Sequence, residues 1–312
     1  MSLRLRIISA TWEAPSIVSY ELRPLEGGEL PRFTAGAHID LSLPNGLVRS
    51  YSLVNSQSER HRYVIAVQKD RASRGGSKWV HENFRVGDVL TVNGPRNNFG
   101  LEEAAEKSVF IAGGIGITPI LSMTERLSAL GRDWELVYCS RKRAGTAFLE
   151  PLQKKPQVRF NFDQEPDGKM LDIAAVVQAA PANAHFYCCG PLPMLEAFEQ
   201  ATKDLPRERV HVEYFTAKAP PAVEGGFTVV LAKKGLTITV PPGKTILDTL
   251  RDHGVDVPYS CTEGVCGTCE TRVLEGVPDH RDLILTEAER ASNKTMLICC
   301  SGSKSEKLVL DL

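Results

Sequence analysis

The sequence has almost no net charge and no long apolar run, and these absences exclude several classes of function. Its 312 residues include 37 basic and 38 acidic ones, a formal net charge of −1, which provides no strong uniform field for nucleic acid or anionic lipid. No stretch approaches the roughly 18 apolar residues of a membrane span, and residues 1–13 lack the apolar core of a secretory signal. We therefore expect a cytoplasmic protein that binds neither nucleic acid nor membranes, and nothing in the sequence requires more than a monomer.

The composition also lacks the biases of disordered or fibrous chains. The hydrophobic fraction is 42% and the charged fraction 24%, with 25 glycines and 19 prolines. These values are those of an ordinary globular protein, and they exclude collagenous, low-complexity and globally disordered chains. At roughly 100 to 200 residues per domain, the length predicts two or three domains, and we find no internal repeat.

Hydrophobic patterning divides the chain into three segments. Residues 1–101 contain six short alternating or apolar runs, the first over residues 3–8, which predicts a small antiparallel β-barrel. Over residues 102–216 strands alternate with helices, which predicts a parallel sheet with crossover helices. The sequence AKAPPAVEGG at 217–226 is typical of a linker, because it combines a proline pair and a glycine pair with little to bury. Residues 227–312 form the third segment and begin with a predicted hairpin and helix.

Eight cysteines are distributed unevenly, with five of them in the last quarter of the chain. In a reducing compartment, clustered thiols favour a metal or catalytic role over disulfides. Cys261, Cys266 and Cys269 form a C-x4-C-x2-C motif, and Cys299 follows after a long gap. This is the spacing of plant-type 2Fe-2S ligands, and it differs from the C-x2-C pairs that usually hold structural zinc.

The cysteine motif leaves two alternatives open. Cys299 and Cys300 are adjacent and only one can be the fourth ligand; we favour Cys299 because it immediately follows the strand-like run at 296–298. A zinc site or unliganded thiols are the competing interpretations of the motif as a whole. Gly264 and Gly267 favour the cluster, because they let the backbone wrap closely around it and direct N–H groups at its sulfur atoms.

A second group of motifs lies in the first segment. Arg49, Ser50, Tyr51 and Ser52 form an R-x-Y-S pattern on a predicted strand, where the arginine can pair with a phosphate and the tyrosine can lie against a flavin ring. The glycine-rich turn at 75–77 opens a predicted helix and offers free N–H groups to a phosphate. Taken alone, the tyrosine is more often simple core packing and the turn is equally compatible with a plain helix cap.

Glycine-rich turns also mark the second segment. The run GGIGITP at 113–119 follows a predicted strand and opens a helix, which is the context of a nucleotide-phosphate turn. Pro119 occupies the place of the third glycine, so the orthodox Rossmann fingerprint fails. The run CCGP at 188–191 ends a later strand of the same sheet, where parallel sheets place their ligand crevices.

These motifs in this order resemble the ferredoxin–NADP reductase superfamily. With the cysteine motif at the C-terminal end, essentially all 312 residues are similar to the phthalate dioxygenase reductase and vanillate demethylase reductase family. The resemblance implies an antiparallel β-barrel flavin domain at 1–101, an α/β parallel-sheet nucleotide domain at 102–216, and an α+β ferredoxin-like (β-grasp) 2Fe-2S domain at 227–312. It also implies an NADH-dependent oxidoreductase, which passes electrons through FMN and the cluster to a Rieske-type terminal oxygenase.

The resemblance assigns site residues by position in this sequence. The residues implied for FMN are Arg49, Ser50, Tyr51, Ser52, Ala66, Val67, Gly75, Gly76 and Ser77. Those implied for the nicotinamide nucleotide and its contact with the flavin are Gly113, Gly114, Gly116, Thr118, Cys189, Gly190, Pro191 and Phe215, of which Thr118, Cys189 and Phe215 would lie at the reacting rings. Cys189 and Phe215 also have a purely structural interpretation, Cys189 as a small buried residue and Phe215 as a core phenylalanine.

Three aspects of the function stay open at this point. Family resemblance favours NADH, but the three cations at 141–143 follow a strand end where they could take the 2′-phosphate of NADPH. The alternative acceptors are a free flavin, a quinone or a cytochrome-type partner. A protein of a different class, with zinc in the third segment and no enzymatic activity, is the remaining alternative.

Overall fold

The computed structural model describes residues 2–70 and 75–312 and divides the chain into two compact units, Met1–Glu213 and Tyr214–Leu312. The first unit contains an antiparallel barrel followed by a parallel sheet, and the second contains the cysteine motif. Among the helices described, none is long and apolar enough to cross a membrane.

The barrel consists of six strands and one helix. They are β1 (Ser2–Ala14), β2 (Ile17–Pro24), β3 (His38–Ser42), β4 (Val48–Ser52), β5 (Tyr63–Gln68), α1 (Gly76–Asn83) and β6 (Val89–Arg96). The strand order is β4-β3-β6-β1-β2-β5 with antiparallel neighbours, and a bridge between Leu53 and Ile65 joins the two outer strands. Because side chains alternate along a strand, apolar residues such as Ile7, Leu22 and Ile39 point inward and form a buried core. The predicted antiparallel barrel is therefore present.

The second part of the first unit alternates strands and helices as predicted. The elements are β7 (Lys107–Gly113), α2 (Ile117–Ala129), β8 (Asp133–Ser140), α3 (Leu149–Leu152), β9 (Val158–Phe162), α4 (Ile173–Ala179), β10 (His185–Cys189), α5 (Leu192–Thr202) and β11 (Val210–Glu213). The strands are parallel in the order β11-β10-β7-β8-β9. The strands that follow β7 in the chain, β8 and β9, lie on one side of it, and the later strands β10 and β11 lie on the other side. The strand order therefore reverses at β7. Open parallel sheets bind ligands at the carboxyl ends of the strands at such a reversal.

The second unit is an α+β fold around a mixed sheet. Its elements are β12 (Phe227–Leu231), β13 (Leu236–Val240), α6 (Ile246–Asp252), β14 (Glu270–Glu275), β15 (Pro278–Asp279), α7 (Glu287–Ser292), β16 (Thr295–Leu297), β17 (Gly302–Ser303) and β18 (Lys307–Leu310). The main sheet has the order β13-β12-β18-β14-β16, in which β12 and β18 are parallel, and β15 pairs with β17 separately. Leu247 and Leu250 of α6 pack in one buried cluster with Met296 and Ile298, which fixes the segment that precedes Cys299.

The predicted linker at 217–226 belongs to the second unit and is hydrogen-bonded to other parts of it. The N–H of Ala222 donates to the carbonyl of Cys300 at 2.8 Å, and Gly226 pairs with Val240 at 2.8 Å. Ala222 is buried, although the composition of 217–226 indicates little to bury. The domain boundaries given by sequence patterning stay predictions.

Candidate cofactor sites

The four predicted cluster ligands are buried and in mutual contact in the second unit. Cys261, Cys266 and Cys269 lie on the loop between α6 and β14, and Cys299 follows β16; each is at most 8% exposed. The thiol of Cys261 contacts those of Cys266 and Cys299, and the thiol of Cys299 also contacts Cys269. Hydrogen bonds from the neighbouring thiols lower the pKa of Cys261, and the same bonds raise the pKa of Cys266 and Cys299. The arrangement favours a thiolate at Cys261, the form that binds iron.

Hydrogen-bond donors surround these sulfur atoms. The N–H of Glu263 donates to Sγ of Cys261 at 3.3 Å, and the Thr268 hydroxyl lies 3.2 Å from Sγ of Cys266. Such donors stabilise the negative charge on the sulfur atoms of an iron-sulfur cluster and tune its potential. No three His, Cys, Asp or Glu side chains in the described part of the chain are grouped as a single metal ion requires. Four cysteine thiolates are the donor set of a 2Fe-2S cluster, and these four cysteines supply it.

The thiols of the adjacent Cys299 and Cys300 have different contacts. Cys299 contacts Cys261 and Cys269 on the loop, whereas Sγ of Cys300 lies 3.7 Å from the carbonyl oxygen of Leu297. A Cβ at Gly264 would lie only 2.5 Å from Sγ of Cys300. Cys300 therefore packs against the backbone of the loop, which supports the choice of Cys299 as the fourth ligand.

The residues predicted to hold FMN lie on the two sides of an opening in the barrel. Strands β4 and β5 are joined at the Leu53–Ile65 bridge, and Val54 N–H donates to the carbonyl of Val64 at 2.9 Å. Within the described residues this pairing does not continue toward the start of β4 or the end of β5, which pair only with β3 and β2. The predicted residues 49–52 and 66–67 lie on these two edges, where backbone groups can reach a ligand.

Arg49 and the N-terminus of α1 meet at one end of this opening. A Cβ at Gly76 would lie 2.6 Å from Nε of Arg49, so the glycine permits the close approach of the helix to the guanidinium. Gly75 precedes the helix with φ +88, a left-handed conformation that glycine adopts without strain. A guanidinium beside a helix N-terminus is a suitable arrangement for a phosphate.

The other predicted flavin residues have identifiable contacts. Tyr51 is largely buried, and burial raises the pKa of its phenol, which keeps the hydroxyl protonated. The Ser50 hydroxyl donates to Oδ1 of Asp40 at 2.7 Å, a contact within the barrel. Ser52 is buried. The Val67 carbonyl lies 2.9 Å from Nε2 of His81 on α1, and Ser77 Oγ accepts the N–H of Asp70 at 3.2 Å.

The two glycine-containing turns of the parallel sheet touch each other where β7 and β10 end. A Cβ at Gly116 would collide with the carbonyl oxygen of Cys189, and a Cβ at Gly113 would lie 2.7 Å from Cδ of Pro191. Both glycines are required by this close approach. Thr118 is buried, and its hydroxyl donates to the carbonyl of Ile115 at 2.9 Å. The turns border the crevice that the strand order predicts for a nucleotide.

This crevice adjoins the barrel. Ile115, between the glycines of the first turn, packs against a small buried cluster that includes Ala66 of β5 and Ala147 of the nucleotide segment. The amide of Gly36 on the barrel also donates to the Ser122 hydroxyl of α2 at 3.1 Å. The barrel edge that carries Ala66 and the glycine turn that carries Ile115 therefore belong to one compact unit.

Glu213 is a residue at this crevice that sequence reasoning missed. It ends β11 opposite Cys189 in the pairing of β10 with β11. Its carboxyl oxygen Oε2 is buried without a hydrogen-bond partner, and burial raises its pKa to about 8. Burial also raises the pKa of the Cys189 thiol, which agrees with a packed residue and not a nucleophile. The signal available in the sequence was an acidic residue within the strand predicted at 210–215.

Comparison with known proteins agrees with these sites. A family model for a 2Fe-2S iron-sulfur cluster binding domain matches residues 229–303, and one for an oxidoreductase NAD-binding domain matches residues 110–200. The chain is 55% identical over 309 residues to phenoxybenzoate dioxygenase subunit beta of Ectopseudomonas oleovorans, covering 99% of this chain and 97% of the relative. It is 54% identical to tetrachlorobenzoquinone reductase of Sphingobium chlorophenolicum, covering 100% and 98%. The solved structure of a phthalate dioxygenase reductase superposes with a TM-score of 0.78 at 40% identity, covering 100% of this chain and 98% of that one.

The chain belongs to the phthalate dioxygenase reductase family. The solved member is described as a modular structure for electron transfer from pyridine nucleotides to 2Fe-2S, and the fold predicted from sequence patterning is confirmed. The NAD-binding and 2Fe-2S domains predicted from the glycine turns and the cysteine spacing are confirmed as well. The individual ligand assignments stay predictions.

The remaining predicted features are Phe215 and the cations at 141–143. Phe215 belongs to the second unit and is 37% exposed, and its place beside the flavin stays a prediction. The cations at 141–143 are exposed. The guanidinium of Arg143 lies 4.9 Å from the ring centroid of Phe162, and its backbone N–H donates to Oε1 of Glu165 at 3.0 Å. Cationic and acidic side chains both occur at this strand end, so the choice between NADH and NADPH stays open.

Proposed function

We propose that the protein is the reductase component of a multicomponent Rieske-type oxygenase. It takes electrons from NADH, passes them through FMN and a 2Fe-2S cluster, and delivers them to a separate terminal oxygenase in the cytoplasm, acting as a monomer. The observation that carries this proposal is the shared cluster of Ile115 and Ala66. It brings the nucleotide turn and the flavin edge of the barrel together, as hydride transfer requires.

The residues of this chain bind and orient the cofactors. Arg49 and the N-terminus of α1 would hold the FMN phosphate, and Tyr51 would contact the flavin ring. The turns at 113–116 and 189–191 let the nucleotide backbone approach closely, with Thr118 at the reacting rings. When bound, FMN supplies the conversion of a two-electron hydride into single electrons, and the cluster carries these one at a time. The protein contributes position and exclusion of water.

The oxygenase as partner is supported by relatives named for such systems. These include phenoxybenzoate dioxygenase subunit beta and the phthalate dioxygenase reductase of Burkholderia cepacia, which is 40% identical over 99% of this chain. The near-zero net charge is compatible with transient docking, which needs only a local complementary patch. The substrate of the oxygenase is determined by that partner.

A second candidate function is the reduction of a quinone. It is favoured by the relative named tetrachlorobenzoquinone reductase, which is 54% identical over the whole chain. In this case the flavin or the cluster delivers electrons to a small quinone, which is reduced to a hydroquinone, and no protein partner is needed.

An anaerobic titration with NADH tests the proposal. We expect bleaching of the flavin absorbance and an electron paramagnetic resonance signal of the reduced cluster. The reduced protein is then mixed with a Rieske-type oxygenase or with a benzoquinone, and reoxidation is followed by stopped flow. Faster reoxidation by the oxygenase supports the first function, and reoxidation by quinone alone supports the second. Purified protein without flavin and iron would contradict both.

A further inference from the structure

A buried polar network lies beside the loop that carries the predicted cluster ligands. It is centred on Asp282, whose side chain has no exposed surface. Its oxygen Oδ2 accepts the backbone N–H groups of Ile284 at 3.2 Å and Leu285 at 2.8 Å. The guanidinium of Arg290 lies 3.5 Å from the same oxygen and donates to the Asp282 carbonyl. These partners compensate the desolvation of Oδ2. Oδ1 is buried without a hydrogen bond, and Nδ1 of His280 lies 3.7 Å from it.

The backbone around Asp282 is attached to both parts of the chain that carry ligands. The N–H of Leu283 donates to the carbonyl of Gly264 at 2.9 Å, inside the C-x4-C part of the motif. The N–H of Arg281 donates to the Ser301 hydroxyl at 3.2 Å, two residues beyond Cys299. Asp282 lies between these two hydrogen bonds, so the contacts that fix its side chain also hold both attachments in place.

Asp282 is also in van der Waals contact with the loop. Gly264 has φ +70, and a Cβ there would lie 3.0 Å from Cα of Asp282. The loop can pass this point only because residue 264 has no side chain. A charge at Asp282 acts on the loop through the protein interior, where the effective dielectric constant is well below that of water.

The two charges of the network are not equally screened. The Arg290 side chain is 35% exposed, whereas the Asp282 carboxylate is fully enclosed. Solvent therefore weakens the field of the guanidinium more than that of the carboxylate. The carboxylate is therefore the less screened of the two charges.

We propose that Asp282 is a positioning residue for the 2Fe-2S cluster. Its buried carboxylate holds residues 281–283 against Gly264 and makes the reduction potential of the cluster more negative. The inference rests on the proposed function, because it requires a cluster at the four cysteines. Reduction adds negative charge to the cluster, and a fixed negative charge beside the loop opposes it; net charge and hydrogen bonding are the established means by which proteins set such potentials.

The test compares the full-length wild type with Asp282→Asn and Asp252→Asn. Asparagine retains an oxygen that can accept the two backbone N–H groups but carries no charge. Asp252 lies on α6, is about half exposed and pairs with Lys244, so its replacement changes the net charge equally at a solvated position. The cluster potential is measured by a redox titration followed by electron paramagnetic resonance, and the flavin potential by absorbance in the same titration.

We expect a more positive cluster potential in Asp282→Asn, with an unchanged flavin potential, and wild-type potentials in Asp252→Asn. An unchanged cluster potential in Asp282→Asn with full iron content overturns the proposal. If Asp282→Asn does not retain iron, Ser301→Ala tests the proposal instead, because it removes the acceptor of the Arg281 N–H without changing the charge. Iron loss to a chelator that is several-fold faster than in the wild type supports the proposal. Iron loss at the wild-type rate overturns it. A wild type without iron would contradict the proposed function instead.

Discussion

Cys189 and Glu213 lie opposite each other at the carboxyl ends of β10 and β11, beside the crevice formed by the two glycine turns. The carboxyl group of Glu213 has a buried oxygen without a hydrogen-bond partner, which is costly for folding. Buried groups with strongly shifted pKa values are concentrated at functional sites. The buried carboxyl therefore costs folding free energy at a position that borders the candidate nucleotide crevice.

The pKa of Glu213, raised by burial to about 8, predicts a pH-dependent stability effect. Between about pH 4.5 and 8 the unfolded chain releases the proton that the folded chain retains, so this group makes stability fall as the pH rises. Glutamine does not titrate, so this fall in stability with rising pH is absent from Glu213→Gln. We expect the variant to match the wild type near pH 5 and to be more stable by up to about 3 kcal/mol at pH 7. Denaturant unfolding at both pH values measures this, and an equal difference at the two pH values would contradict the buried-acid explanation.

Gly116→Ala tests the contact between the two turns. The new Cβ collides with the carbonyl oxygen of Cys189, so the turns must separate, at a cost of about 1–3 kcal/mol. Since hydride transfer depends on placement to within about 1 Å, we expect flavin reduction by NADH to slow by about 100-fold. Gly100→Ala is the control, because no atom lies within 4 Å of its added Cβ. Equal rates of flavin reduction in the two variants, measured by stopped flow, would refute the role of the contact.

Arg49→Ala tests the phosphate site at the barrel opening. A charged hydrogen bond contributes about 1.5–3 kcal/mol, so we expect FMN to bind about 10- to 100-fold more weakly. Flavin fluorescence during reconstitution gives the dissociation constant. Arg4→Ala removes an exposed arginine of β1 and should bind FMN like the wild type. Unchanged FMN affinity in Arg49→Ala would remove this residue from the site.

The sequence predicts the features that depend on local chemistry. The cysteine spacing, the glycine turns and the change from alternating runs to strand–helix alternation are all local patterns, and each corresponds to an element in the structure. The first strand was predicted too short, at residues 3–8, whereas β1 extends to Ala14. Register shifts between Ile7 and Ser9 and between Trp12 and Ala14 interrupt the alternation, so the periodic signal stops before the strand does.

Contacts between distant residues could not be predicted. The collision at Gly116 involves Cys189, and the attachment of Leu283 involves Gly264; these pairs meet only after the sheets have formed. Helix α7 is a different case. It buries none of its residues, and the capping box of Thr286 and Glu289 begins it, so the T-x-x-E signal was readable without any hydrophobic periodicity.

The adjacent Cys299 and Cys300 give the most direct test of the cluster site. Because the Cys299 thiol contacts Cys261 and Cys269, whereas Cys300 packs near the Leu297 carbonyl and Gly264, the two serine variants should differ. We expect Cys299→Ser to lose iron or to show an altered electron paramagnetic resonance signal, since an alkoxide replaces a thiolate ligand. Cys300→Ser is the matched control and should retain the iron content and the signal of the wild type, with at most a small loss of stability. A normal cluster in Cys299→Ser and a lost cluster in Cys300→Ser would show that the fourth ligand is Cys300.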